Sequence, residues 1–150
     1  MNKIIPAEKR FKLILSVYLI LVKDGKTLLL RRANTGYEDG NYGLVSGHAD
    51  GDERATVAAC REVAEESGII IRPEDLRFAH LMHRREADER LDIFFTANKW
   101  EGEPKNMEPD KCDDLGWFPL DDLPPNTIPY IKEAIENFRA GIHYSEGWND

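Results

Sequence analysis

Cysteine is scarce in this 150-residue chain: only Cys60 and Cys112 occur, far apart in sequence. That excludes a disulfide framework or a zinc-finger spacing, and free thiols in a reducing, cytoplasmic setting are expected. Clustered positive charge is also missing. Twenty Lys and Arg stand against 28 Asp and Glu, the net charge is −8, and no basic run exceeds a pair. A protein that holds long nucleic acid by its backbone phosphates is therefore disfavoured. No apolar run is long enough to cross a bilayer, which takes about 20 residues. Leu13 to Val22, preceded by Lys3, Lys9, Arg10 and Lys12, imitates a targeting signal. It is followed by Lys23, Asp24, Gly25 and Lys26 rather than by a small-residue cleavage site, so no membrane partner is expected. Repeats and linkers are lacking too. With 41% hydrophobic residues the chain reads as one domain over 1–150, its core about 12–140 and a tail over 141–150.

What is present is concentrated between Gly47 and Ile69, which read GHADGDERATVAACREVAEESGI. From Arg54 to Ser67 there is no Pro or Gly, and Ala, Val, Arg and Glu predominate, which predicts a helix of three to four turns. Gly68 sits where a helix stop favours left-handed geometry. Glu62, Glu65 and Glu66 are spaced i, i+3, i+4, so three carboxylates share one face with Cβ atoms roughly 5–6 Å apart. Such a face repels itself unless a cation joins it, and oxygen ligands at this density suit Mg²⁺, with Mn²⁺ able to take the same place. On the opposite face Val57, Ala58, Cys60 and Ala64 are expected to lie against a sheet. A lone Glu-Glu pair is ordinarily a solvated surface. Here Gly47, Glu53, Arg61 and Gly68 accompany it at set distances, which favours metal binding.

Written as G-x5-E-x7-R-E-U-x-E-E-x-G-U, with U a bulky aliphatic, the stretch resembles the signature box of the Nudix hydrolases, and every required position is filled. The resemblance spans about residues 12–140 and is sharp only in the box. It implies an α/β/α sandwich with a mixed sheet between helices, and hydrolysis of a nucleoside diphosphate linked to another group. It further implies Glu62, Glu65 and Glu66 as metal ligands, Arg61 as an orienting residue forked onto a glutamate, and Glu53 as a supporting or metal-facing carboxylate. Which carboxylate acts as base differs among family members. Upstream, Tyr42-Gly43-Leu44-Val45-Ser46-Gly47 stands where many members carry an aromatic and then Pro-Gly-Gly. The resemblance assigns a metal-binding carbonyl to Ser46, although non-Gly residues there narrow the backbone angles.

Marks that relatives carry downstream for ADP-ribose or dinucleoside polyphosphates are missing; residues 84–87 are Arg, Arg, Glu, Ala. By family default the substrate is a small nucleoside triphosphate, oxidised ones included, cleaved to monophosphate and pyrophosphate. The runner-up is an X-linked diphosphate such as ADP-ribose, a nucleotide sugar or a dinucleotide; a non-catalytic nucleotide sensor ranks lower, and RNA decapping lower still. The expected partner is a small-molecule nucleotide substrate, with a homodimer left open.

Elsewhere the patterning is mixed. Asp24-Gly25 predicts a hairpin turn between a buried strand over 12–23 and a partner over 26–32. Further strands are expected at 42–46, 76–84, 90–99 and 115–120, with a polar loop over 100–114. In the strand over 90–99 Leu91, Ile93, Phe95 and Ala97 alternate with Asp92, Phe94, Thr96 and Asn98, which predicts one wholly apolar face. A second helix over 129–140 is expected to bury Ile131, Ile135 and Phe138 and to stop at Gly141. The tail from His143 shows no periodicity.

Other residues compete between site and surface. Arg31 and Arg32 end a strand and could reach phosphate, though strand-edge Arg is more often solvated. His48 is expected at the pocket mouth, and Glu108 reads more simply as a surface acid than as a further carboxylate of the site. His80 and His83 fall on opposite faces of one strand, and Trp117-Phe118 is most simply core.

Overall fold

The computed structural model describes residue 4 and residues 6–148, so Lys3 and the last two residues of the tail lie outside the described residues. In chain order the strands are β1 (Ile14–Lys23), β2 (Lys26–Arg32), β3 (Tyr42–Gly43), β4 (Val45–His48), β5 (Arg77–Arg85), β6 (Glu89–Ala97), β7 (Cys112–Pro119) and β8 (Tyr144–Trp148). Helix α1 (Ala55–Ser67) lies between β4 and β5, and α2 (Pro129–Arg139) between β7 and β8. The strands form one mixed sheet in the order β3-β2-β1-β6-β5-β8, with β4 joined to β1 and β7 to β2.

The β1–β2 turn is the expected one. Asp24 and Gly25 both have positive φ, 52° and 73°, as a tight primed turn requires. The two strands pair only next to it, at Val22↔Thr27 and Lys23↔Lys26. Beyond that they part. Residues 16–19 of β1 pair antiparallel with β4, its other edge pairs parallel with β6, and β2 pairs with β3 and β7.

Both faces of the sheet are covered. Val17, Leu19, Leu21, Phe95 and Ala97 pack with Ala58, Ala59 and Val63 of α1. Tyr18, Ile20, Met82 and Phe94 pack with Ile131, Ala134 and Ile135 of α2. A strand sandwiched this way must be apolar on both sides, which is why β1 reads as an unbroken hydrophobic run. Ile131 and Ile135 are almost fully buried, each contributing roughly 1.5–3 kcal/mol of transfer free energy.

Several expectations are corrected. The expected strand over 42–46 is two short strands broken at Leu44, and β7 begins at Cys112, three residues early. The tail forms β8, parallel to β5 at Leu81↔Tyr144 through Arg85↔Trp148. In β6 the alternate face is buried too: Phe94 and Asp92 are both 0% exposed. On α1 the buried residues are Ala58, Ala59, Val63 and Ser67, whereas Val57 is 42% exposed. The acidic face itself leans over β4, so the packing stripe runs beside it rather than opposite. Phe138 is only partly buried.

Candidate functional site

Helix α1 ends at Gly68, whose φ of 75° turns the chain and whose N–H reaches the Ala64 carbonyl at 3.0 Å. The small residues Ala58 and Ala59 let its axis approach β1 closely. That approach brings the acidic face over β4. At Gly47 a β-carbon would stand 2.1 Å from the Glu62 carboxyl carbon, so only glycine lets Glu62 lie against this strand. Val45 and Ser46, where a Gly-rich turn was the familiar pattern, are extended strand residues and need no left-handed backbone.

Arg61 binds the cluster together. Its Nε and Nη2 donate to Glu53 Oε2 and Oε1 at 2.8 and 3.0 Å, a two-pronged fork. Nη1 donates to Glu62 Oε1 at 2.9 Å and reaches Glu65 at 3.4 Å, and Nη2 also donates to the His48 carbonyl at 3.2 Å. Glu53 is held well below the usual carboxylate range, at about 2, by Arg61 and then by the Asp50 N–H. Both Glu53 oxygens are thus engaged.

Glu66 lies on the other side of the cluster, with the Ser46 N–H donating to its Oε2 at 3.2 Å. Burial, and then the neighbouring Glu62 charge, push its carboxyl up to about 8. Burial also raises Glu62, against the pull of Arg61. Glu65 is the most exposed of the three, its side chain 51% accessible. A site that disfavours its own negative charge in this way is one a divalent cation would stabilise. The donors are all hard oxygens, which fits Mg²⁺ or Mn²⁺. Among the described residues no three acidic, histidine or cysteine side chains stand in ready-made ligating geometry. Arg61 reaches both Glu62 and Glu65.

These groups line a cleft of about 400 Å³. Arg32 and His48 line it too, His48 at its exposed edge, and so does Ser46. Arg32 is steadied by the Tyr37 carbonyl at 2.7 Å, and Arg31 by Asp113 at 2.6 Å. Glu108, read from sequence as a surface acid, also faces the cleft, with Lys111 4.0 Å from it. Its loop is fastened to the end of α1, since Lys105 N–H donates to the Ser67 carbonyl and Met107 N–H to that of Glu66. No spacing rule links residue 108 to a helix forty residues earlier. Tyr18 and Tyr130, also in the lining, were missed because hydrophobic patterning assigns both to core.

The other candidates lie elsewhere. His80 is buried, hydrogen-bonded to the Ile142 carbonyl and Ser145 Oγ, and His83 pairs with Glu89. Trp117 stacks on Trp100, and Phe118 meets Tyr42 edge-on. Cys60 and Cys112 are both free thiols. No helix among the described residues is long and apolar enough to cross a membrane.

A cleft with an oxygen-rich end, facing Arg31, Arg32 and Lys111, can bind a phosphate chain through metal on one side and cations on the other. Comparison with known proteins gives the family. The family model described as the NUDIX domain matches residues 12–138. The fold is similar to that of a MutT NUDIX hydrolase from Burkholderia pseudomallei, with TM-score 0.77 and 30% identity over 84% of this chain and 98% of that one. A NUDIX hydrolase from Nitrosomonas europaea (TM-score 0.74, 22% identity, 89% and 93% covered) shares the fold. So does the MutT protein from Methanosarcina mazei Go1 (TM-score 0.73, 23% identity, 85% and 94% covered).

Proposed function

This chain belongs to the NUDIX hydrolases, and from that premise we propose that it is a Mg²⁺-dependent pyrophosphohydrolase of a small nucleoside triphosphate, releasing monophosphate and pyrophosphate. The observation that carries the reading is the convergence of Glu62, Glu65 and Glu66 with the Arg61–Glu53 fork in one cleft. Glu62, Glu65 and Glu66, with the Ser46 carbonyl, would hold the metal. When bound, a divalent cation polarises a phosphoryl oxygen and lowers the pKa of water so that it can attack phosphorus.

The chain's own residues supply the rest. Arg61 fixes Glu62 against β4 and is itself fixed by Glu53, whose engaged oxygens give it a positioning role rather than that of the base. The base then falls among Glu62, Glu65, Glu66 and Glu108. Arg31, Arg32 and Lys111 face the phosphates and offset the charge that grows on the leaving side. His48 stands at the entrance.

Products resolved by ion-exchange chromatography test this, over common and oxidised nucleoside triphosphates, ADP-ribose, a nucleotide sugar and a dinucleoside polyphosphate. Monophosphate plus pyrophosphate from a triphosphate, abolished by EDTA, is the expected result. Turnover confined to the X-linked diphosphates would replace the substrate and keep the site. Mg²⁺-dependent nucleotide binding with no turnover would replace the enzyme by a sensor.

A further inference from the structure

The cleft does not end at the carboxylates. Tyr18, Arg32, Ser46, Gly47, His48 and Tyr130 also border a second compartment of about 520 Å³, which continues toward the β5–β6 turn. Its character is different. Three arginines line it or lie behind it, but two are already committed. Arg84 Nε donates to Asp92 Oδ2 at 2.7 Å, Arg84 Nη1 to Glu86 Oε2 at 2.8 Å, and Arg90 is forked onto Asp88 Oδ1. The third, Arg32, sits at the boundary with the first compartment. The Arg84 guanidinium also covers one face of the Tyr130 ring, 3.7 Å from its centroid.

With Arg84 and Arg90 held by carboxylates and Arg32 facing the first compartment as well, this space has no cation of its own for a second phosphate group. It offers three aromatic walls, Tyr18, Tyr37 and Tyr130, and unspent hydrogen-bonding atoms. Glu86 is the clearest of these. The Tyr37 hydroxyl and Arg84 Nη1 both donate to its Oε2, at 2.8 Å each, and among the described residues nothing donates to Oε1. A carboxylate fixed from one side, with an acceptor-only oxygen left on the other, selects a partner that presents N–H groups.

We infer that this second compartment receives the nucleobase, and that Glu86, oriented by Arg84 and Tyr37, reads a base edge carrying adjacent N–H donors, as guanine does at N1 and N2. Adenine and cytosine present an amino group beside an acceptor, and uracil an N–H between two carbonyls, so each sets an acceptor against the carboxylate. The inference rests on the nucleotide reading above, because it needs the phosphates at the carboxylate end of the same cleft.

Calorimetric titration of GMP, AMP, CMP and UMP into the full chain in EDTA tests base reading apart from metal and catalysis. GMP should bind tightest. Glu86→Gln should weaken GMP by roughly ten- to a hundredfold, the loss expected for a hydrogen bond to a charged group, and should level the four affinities. Tyr37→Phe removes an orienting hydroxyl but not the acceptor, so it should weaken GMP less and keep the order. If the four monophosphates bind wild type within threefold of one another, or Glu86→Gln leaves their order unchanged, the inference is overturned while pyrophosphate release can stand. A guanine preference without pyrophosphate release from any triphosphate would keep the subsite and overturn the reaction. If no monophosphate binds, the inference is overturned, and pyrophosphate release alone decides the reaction.

Discussion

Replacing Gly47 by alanine would put a methyl group 2.1 Å from the Glu62 carboxyl carbon and 2.6 Å from its Cγ. Gly47 has no positive φ, so the backbone itself accepts alanine without strain. The clash falls on the far end of a flexible side chain, which can swing aside. The fold therefore survives. Its cost is close to the one charge-assisted bond from Arg61 that Glu62 must leave, about 1.5–3 kcal/mol, or roughly 3–12 °C in Tm. The site does not survive, because the carboxylate has to move by more than about 1 Å, and a misplacement of that size costs about a hundredfold in rate. Expected in Gly47→Ala, then, are a modest Tm shift, kcat/KM down by at least about a hundredfold, and weaker Mn²⁺ binding by electron paramagnetic resonance. A double-mutant cycle sharpens the test: in a Glu62→Ala background, Gly47→Ala should cost nothing further in stability or rate. Activity within threefold of wild type in the single mutant, or additive losses in the double, would refute the close-approach argument.

Other outcomes follow from the same geometry. Glu66 takes up a proton more readily folded than unfolded, since its carboxyl is raised to about 8. In EDTA that contribution is fully present below the unfolded value, about 4.5, and is lost as pH rises through 8. Each tenfold difference in proton affinity between the folded and unfolded chain is worth about 1.4 kcal/mol. Wild type should thus lose a few kcal/mol relative to Glu66→Gln between about pH 5 and 9 in urea titrations, and parallel pH profiles would contradict this. Arg61→Lys should fail to restore the activity lost in Arg61→Ala, because an ammonium cannot fork onto Glu53 while holding Glu62, and steady-state kinetics of the pair would show it. Asp92→Ala should destabilise the chain by about 3–5 kcal/mol, leaving the buried Arg84 without its closest partner, as thermal unfolding would reveal. A drop below about 1 kcal/mol would mean that water reaches Arg84.

Much of this architecture is legible in the chain because its signals are local. The Asp24-Gly25 turn, the span of α1 and its Gly68 stop, and the reach of α2 each depend on a few adjacent residues. The acidic triad is legible for the same reason, since helical spacing alone sets its face. What escaped is what neighbours distant in sequence decide. β8 is a five-residue edge strand whose pairing with β5 no alternation announces. Asp92 alternates like a solvent-facing residue, yet α2 covers that face and Arg84 supplies the missing charge. Glu108 joins the cleft because backbone bonds from its loop grip the end of α1, and side-chain identity has no part in those bonds.

The parallel pairing of β1 with β6 joins Ile14 to Arg90 and Leu21 to Ala97. The strand richest in buried aliphatics is thus made early, while the neighbour that seals its edge is made 76 residues later. At about 5–20 residues per second, synthesis leaves that strand uncovered for roughly 4–15 s. During this interval the nascent chain has only the β2 hairpin and then β4 to occupy one edge of β1. Polypeptides stalled before β6 should therefore be the sticky ones, held by chaperones or lost to inclusion bodies, and release should coincide with emergence of residues 89–97 from the ribosome.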